Sequence, residues 1–283
     1  MDRFVNLMRG IYSPDMATRE GSVAEYYAMA EQQPNDLVNL LVQTMANDPD
    51  VQVRQVSILM LRKAVIKHQH SLWPNLTGET RTNVKAALLH ALHHETHDLM
   101  RRKLDDTVAD LAAAICADGE WPELLDDLFA LSRSEDTLHR ESGLLIFGQL
   151  MNALTEMLEQ HIPELRDIIN NGMNDASLSV RISGLKATTG FIISARQPET
   201  RVLLQPLVPS MLGVLSASIQ AKHSNAISSA MEVFIDWAID PIFFEADMAN
   251  TLQLMLDICN NVSAPSYQQS AAEFLVSLAA RQP

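Results

Sequence analysis

The sequence is poor in the residues that build turns, sheets and cross-links. Glycine occurs 10 times in 283 residues and aromatics make up 5%, too little for a β-sandwich, a barrel or a glycine-loop nucleotide fold. Sustained alternation of apolar and polar residues is missing, so strand signals are nearly absent. Cysteine is down to Cys116 and Cys259, too far apart in sequence to imply a disulfide framework. No apolar run reaches the roughly 18 residues of a membrane span. The opening MDRFVNLMRG lacks the basic-then-apolar pattern of a secretory signal, so the chain reads as cytosolic or nuclear, with no membrane partner. None of G-x-x-x-x-G-K-[ST], G-x-G-x-x-G or G-x-S-x-G occurs, and nothing implies a cofactor. Without a basic patch carrying interleaved aromatics, nucleic acid is excluded as a partner.

What the chain does have is apolar residues at 47%, enough for a continuous core. Ala, Leu, Met, Glu and Gln are abundant, which favours helix. The charge is uneven. Residues 104–175 hold 3 Lys+Arg against 16 Asp+Glu, a balance of −13 within a net charge of −14. A field of that sign repels phosphate and attracts basic partners; solvated helix faces are the simpler explanation for the same residues.

One pattern repeats. Asn47-Asp48-Pro49-Asp50-Val51-Gln52-Val53-Arg54 returns as Asn174-Asp175-Ala176-Ser177-Leu178-Ser179-Val180-Arg181, with weaker copies leading to Arg19, Arg101 and Arg140. These five arginines are spaced 35, 47, 39 and 41 residues apart. Between them, Pro34, Pro122, Pro163 and Pro209 open amphipathic stretches, as proline does near a helix start. The spacing predicts an all-α chain of about seven helix pairs, A then B, at 2–31, 34–72, 77–117, 121–155, 157–195, 198–239 and 241–281. On the B helices, Val53, Val56, Leu59 and Ala64 give an apolar stripe. A period near 40 with two helices per unit is the HEAT pattern, an α–α superhelix. Arg19, Arg54, Arg101, Arg140 and Arg181 are expected to form a ladder against acidic or carbonyl acceptors at repeat boundaries, fixing register.

The stretch from Glu25 to Glu95, and within it Val53-Arg54-Gln55 through Leu61-Arg62-Lys63 to Lys67-His68, resembles the importin-beta N-terminal domain. MRRKLDDTVADLAAAI followed by WPELLDDLF, and HRESGLLIFGQL followed by LRDIINNGMND, resemble repeats three to five of the larger importins that carry ribosomal proteins and histones. The resemblance implies one HEAT solenoid over 1–283, the N-terminal part of a longer, non-enzymatic nuclear import receptor. It implies three partners: Ran in its GTP form on the concave B-helix face, Phe-Gly nucleoporins between outer A helices, and basic protein cargo. Such a receptor would be monomeric and shuttle between cytoplasm and nucleus through the nuclear pore. On this basis Gln55, Arg62, Arg102, Asp106, Asp110 and Glu141 are Ran candidates. Leu165, Ile168, Ile169, Leu207, Met211 and Leu215 are candidates for the nucleoporin groove.

Two other readings remain open from sequence: a HEAT scaffold outside nuclear transport, such as a phosphatase scaffolding subunit or coat adaptor, and a helical metalloenzyme. The second rests on His90, His93, His94 and His97, whose spacing can share one helical face. The zinc-protease signature His-Glu-x-x-His is one residue short at His94-Glu95-Thr96-His97. His68 and His70 are two apart and do not share a face.

Overall fold

A computed structural model describes residues 2–66, 71–195, 197–262 and 264–280. Lys67, His68 and His70 lie outside the described residues. Every regular element among the described residues is helical. The chain divides into two compact units, Met1–Asp127 and Leu128–Pro283.

The first unit holds three helix pairs: α1 (Asp2–Ile11) with α2 (Met16–Gln32), α3 (Pro34–Asn47) with α4 (Val51–Ile66), and α5 (Gly78–His94) with α6 (Asp98–Ile115). The helices start where capping chemistry is available. Asp15 accepts from Thr18 N at 2.8 Å to open α2, and Thr77 accepts from Thr80 N at 3.3 Å to open α5. Pro34 opens α3, where its missing N–H costs nothing. Pairs stack A on A and B on B, through α3 against α5 and α4 against α6. No pair buries its apolar face alone, so stacking supplies the core: Leu37, Leu41, Met45, Ile58, Leu61 and Leu88 are fully or almost fully buried.

The next helix, α7 (Leu124–Ser132), spans the division between the units. The second unit continues with α8 (Thr137–Ala153), α9 (Thr155–Leu158), α10 (Ile162–Met173), α11 (Leu178–Ala187), α12 (Thr189–Ser194), α13 (Pro198–Leu204), α14 (Val208–Gln220), α15 (Ser224–Trp237), α16 (Met248–Asn261) and α17 (Pro265–Ala279). Short 3-10 turns lead α9 into α10, α13 into α14, and the chain at Pro241–Asp247 into α16. Each expected pair is therefore present, with several long helices broken once. The core of this unit ends in an aromatic cluster, where Phe244 meets Phe274 edge-on at 5.3 Å and Trp237 lies 4.6 Å from Phe243.

Two expectations are corrected here. Leu59 does not belong to the buried stripe; it is 37% exposed on α4. And one stretch, Pro198–Gln220, is long and apolar enough to cross a membrane by length and composition, with mean hydropathy 1.7. In the structure it is α13, a 3-10 turn and α14, and Leu204, Leu207, Val208, Met211 and Leu215 are buried in the core of their unit.

Candidate functional site

The ladder positions use the same chemistry in different ways. Arg54, 21% exposed, donates to Glu95 Oε2 at 2.5 Å, and Glu95 is only 7% exposed. Glu95 also accepts from the His97 N–H at 2.8 Å through its side chain and from Arg101 at 2.6 Å through its carbonyl. Arg101 is buried and reaches the Leu92 carbonyl as well, at 3.0 Å. Arg19 donates to the Ser13 carbonyl at 2.8 Å. Arg140 holds Asp175 bidentately, at 2.8 and 3.1 Å, and also takes the carbonyls of Ser134 and Glu135. Burial works to raise the Asp175 carboxyl. Hydrogen bonds from Arg140 and the Ser177 N–H, with the charges of Arg140 and Arg181, overcome it and hold the carboxyl below its ordinary range. The stabilisation this brings is present at neutral pH and is lost as pH falls through the lowered value. Arg181 departs from the expectation: its side chain makes no hydrogen bond or ion pair among the described residues, and its Nε, like that of Arg54, is buried.

Because Glu95 ties two helix pairs through one carboxylate, Arg54→Ala is expected to destabilise the protein by about 2 kcal/mol, below the 3–5 of a fully buried pair because Arg54 keeps some solvent. Chemical unfolding checks it; an unchanged midpoint would remove the ladder from the account of stability.

The Ran candidates separate into a cluster and outliers. On α4, Gln55, Leu59 and Arg62 follow one another along the partly exposed side, and Arg102, Asp106 and Asp110 do so on α6. Arg62 Nε donates to Asp110 Oδ2 at 2.6 Å, its Nη2 also meets Asp110, and Nη1 lies 3.5 Å from Asp106 Oδ2. These three side chains are 34%, 37% and 47% exposed. Arg102 is exposed and Gln55 half-buried. Glu141 belongs to the other unit, where it accepts from the Ser179 hydroxyl between α8 and α11.

The nucleoporin-groove candidates are corrected outright. Leu165, Ile169, Leu207, Met211 and Leu215 are fully buried and Ile168 is 6% exposed. They are core of their unit, and none offers a partner a surface. The histidines do not converge either. His90 and His94 stack at 4.1 Å, His93 faces Asp127 at 3.0 Å, and His97 stands outside α5 at the cap of α6. Among the described residues no three His, Cys, Asp or Glu side chains are placed to hold a metal.

Much of the acidic excess is spent locally. Asp106 and Asp110 face Arg62, Glu120 faces Arg81 and Trp73 Nε1, Asp127 faces His93, Glu164 faces Arg133, and Asp136 caps α8. Asp105 is 4% exposed and is no part of an acidic surface. Asp118, Glu123, Asp126, Glu135, Glu156 and Glu159 remain exposed.

A second set of cross-repeat pairs was missed in the sequence. Arg81 pairs with Glu120 and Arg201 with Asp240, each 39 residues on. Arg81 also lies over the Trp73 ring at 5.6 Å. The signal was there: an arginine in the first turn of an A helix and an acid one repeat later.

Comparison with known proteins adds the following. A family described as "IPO5-like, TPR repeats" matches residues 96–254. The "Probable importin-5 homolog" of Dictyostelium discoideum is 24% identical over 233 residues, covering 81% of this chain and 22% of that protein. "Importin subunit beta-3" of Saccharomyces cerevisiae is 26% identical over 298 residues, covering 99% of this chain and 26% of that protein. The chain thus spans about a quarter of the length of these relatives. Among solved structures, Kap121p superposes with a TM-score of 0.82 at 23% identity, over 99% of this chain and 27% of that one. That likeness identifies the fold as a HEAT-repeat solenoid. Kap121p is also known bound to Nup53p and to Pho4p.

Proposed function

The chain belongs to the importin-beta family, and on that premise we propose that it forms the N-terminal arm of a nuclear import receptor that takes GTP-loaded Ran on the exposed side of α4 and α6. The observation that carries this reading is the Arg62, Asp106 and Asp110 cluster. Elsewhere in the first unit, strong charges such as Arg54, Glu95 and Arg101 are drawn in between repeats. This cluster instead stays a third to a half exposed on B helices, where its ions can exchange one another for a partner's charges at little cost. Leu59 on the same side supplies apolar area that the sequence pattern had assigned to the core.

The protein is an import receptor in this reading, not an enzyme, and works as a monomer between cytoplasm and nucleus. Phe-Gly nucleoporins dock on outer A-helix surfaces, since the family relative Kap121p binds Nup53p; the buried six are not the site. Basic protein cargo is drawn by the exposed carboxylates of each unit separately, Asp118, Glu123 and Asp126 in the first and Glu135, Glu156 and Glu159 in the second, with the salt sensitivity that screening beyond about 8 Å imposes. The test is binding to Ran in its two nucleotide states by titration calorimetry. Preference for the GTP form is expected, and equal affinity for both forms would overturn the reading in favour of a scaffold outside transport.

A further inference from the structure

We propose that the cavity at Arg181 is a receptor for a carboxylate side chain of a protein partner, which completes from outside a ladder position whose guanidinium has no acceptor among the described residues. Arg19, Arg54, Arg101 and Arg140 all bond carbonyls or carboxylates. The Arg181 guanidinium bonds none among the described residues; its Nε, like that of Arg54, is shut away from water, but Arg54 has Glu95 at another nitrogen and Arg181 has nothing. A buried donor in that state is costly until something accepts from it.

The neighbouring carboxylate is already taken. Asp175 gives both oxygens to Arg140, and one of them also to the Ser177 N–H, so Arg181 acts on it through charge alone. Two guanidinium groups against one carboxylate leave a single positive charge in excess. The cause is legible in the chain. Acceptors stand 41 residues after Arg54 and 35 after Arg140; the matching stretch, 216–222, reads SASIQAK and contains no acid.

Space is left where the acceptor is missing. Arg181 lines a solvent-open cavity of about 300 Å³ with Met173, Asn174, Pro209, Ser210 and Gly213. Asn174 Nδ2 donates to Ser210 Oγ at 2.8 Å, and Ser210 donates to Asn170 Oδ1 at 2.8 Å. These amide and hydroxyl groups are therefore engaged with one another, and the guanidinium is the charged group at the cavity. A Cβ at Gly213 would meet nothing within 4 Å. The chemistry that fits is the one used at Arg54 and Arg140, a single carboxylate on the guanidinium fork. A phosphate, with close to two charges, would overfill a site that is one positive charge in excess beside Asp175.

The experiment titrates the full chain with the blocked peptide Ac-Gly-Glu-Asp-Glu-Gly-NH2, following the arginine Nε–H resonances by NMR; the Arg181 signal is assigned by its loss in Arg181→Lys. A saturable shift of that signal is expected. The Gln/Asn version of the peptide should not produce it, and Arg181→Gln, which removes the signal itself, should weaken peptide binding measured by titration calorimetry about tenfold or more. Gly213→Asp, which puts a carboxylate into the cavity from the chain itself, should abolish the shift and raise Tm above that of Gly213→Asn, which has the same size and similar helix propensity and should leave the shift intact. The proposal is overturned by the absence of a saturable shift, by an equal response to the amide peptide, by a response confined to a phosphoserine peptide, or by a shift that survives Gly213→Asp.

Discussion

Gly184→Val is expected to cost about 3 kcal/mol, the upper part of the range for overpacking a well-filled core. Gly184 lies on α11 where that helix crosses α10, and a Cβ there would come within 2.9 Å of Met173 N, 3.1 Å of Gly172 C and 3.2 Å of Ile169 O. All three are backbone atoms, so no side-chain rotation relieves the clash and the two helices must separate. Separation would strip contact from Ile169 and Met173, both almost completely buried. Gly213→Ala is the matched control, because nothing stands within 4 Å of its Cβ position. There the outcome should change sign, with a gain of up to about 1 kcal/mol from helix propensity. Urea unfolding followed by circular dichroism measures both. A Gly184→Val protein as stable as the parent would mean that the close crossing of α10 and α11 is not what holds this unit.

The helix pairs were legible because each break carries its own local chemistry: a proline into an A helix, an acid or serine before a B helix. Arg54 could be paired from sequence for a similar reason, since Glu95 follows one repeat later on the next turn. What sequence could not give was the side of a helix that a neighbour covers. In a stacked array an A helix is flanked before, behind and by its own B helix, so the whole apolar stripe of α10 and α14 is enclosed. Leu165, Met211 and Leu215 therefore vanish into the core rather than lining a groove. Leu59 fails the other way: its spacing fits the stripe of Val53 and Val56, yet its angle on α4 points past the neighbouring helices. Asp105 sits one residue from Asp106 and is buried while Asp106 reaches Arg62. One step along a helix turns a side chain by about 100°, enough to take it from surface to interior. Arg181 shows a further limit of pattern reading. Its own motif is intact, and what differs is an absence 35 to 41 residues away.

Arg62→Glu should lower affinity for GTP-loaded Ran about tenfold or more while leaving stability nearly unchanged. The stability half follows from exposure. Arg62, Asp106 and Asp110 are each a third or more open to solvent, and ion pairs of that kind contribute about 1 kcal/mol or less. The binding half follows from charge. The substitution gathers three carboxylates where a partner now meets one cation between two anions, and like charges facing a partner tuned to the original pattern cost both encounter rate and affinity. The exchange Arg62→Asp with Asp110→Arg separates the two roles of the cluster. It keeps the net charge and can rebuild an ion pair between α4 and α6, but it presents the pair in reverse order. Binding should therefore stay weak in the exchanged protein, while its unfolding midpoint matches the parent. If instead the exchange restores Ran affinity in full, the cluster serves only to fasten α4 to α6, and the partner must be read by other residues of that face, with Leu59 and Arg102 the next to substitute.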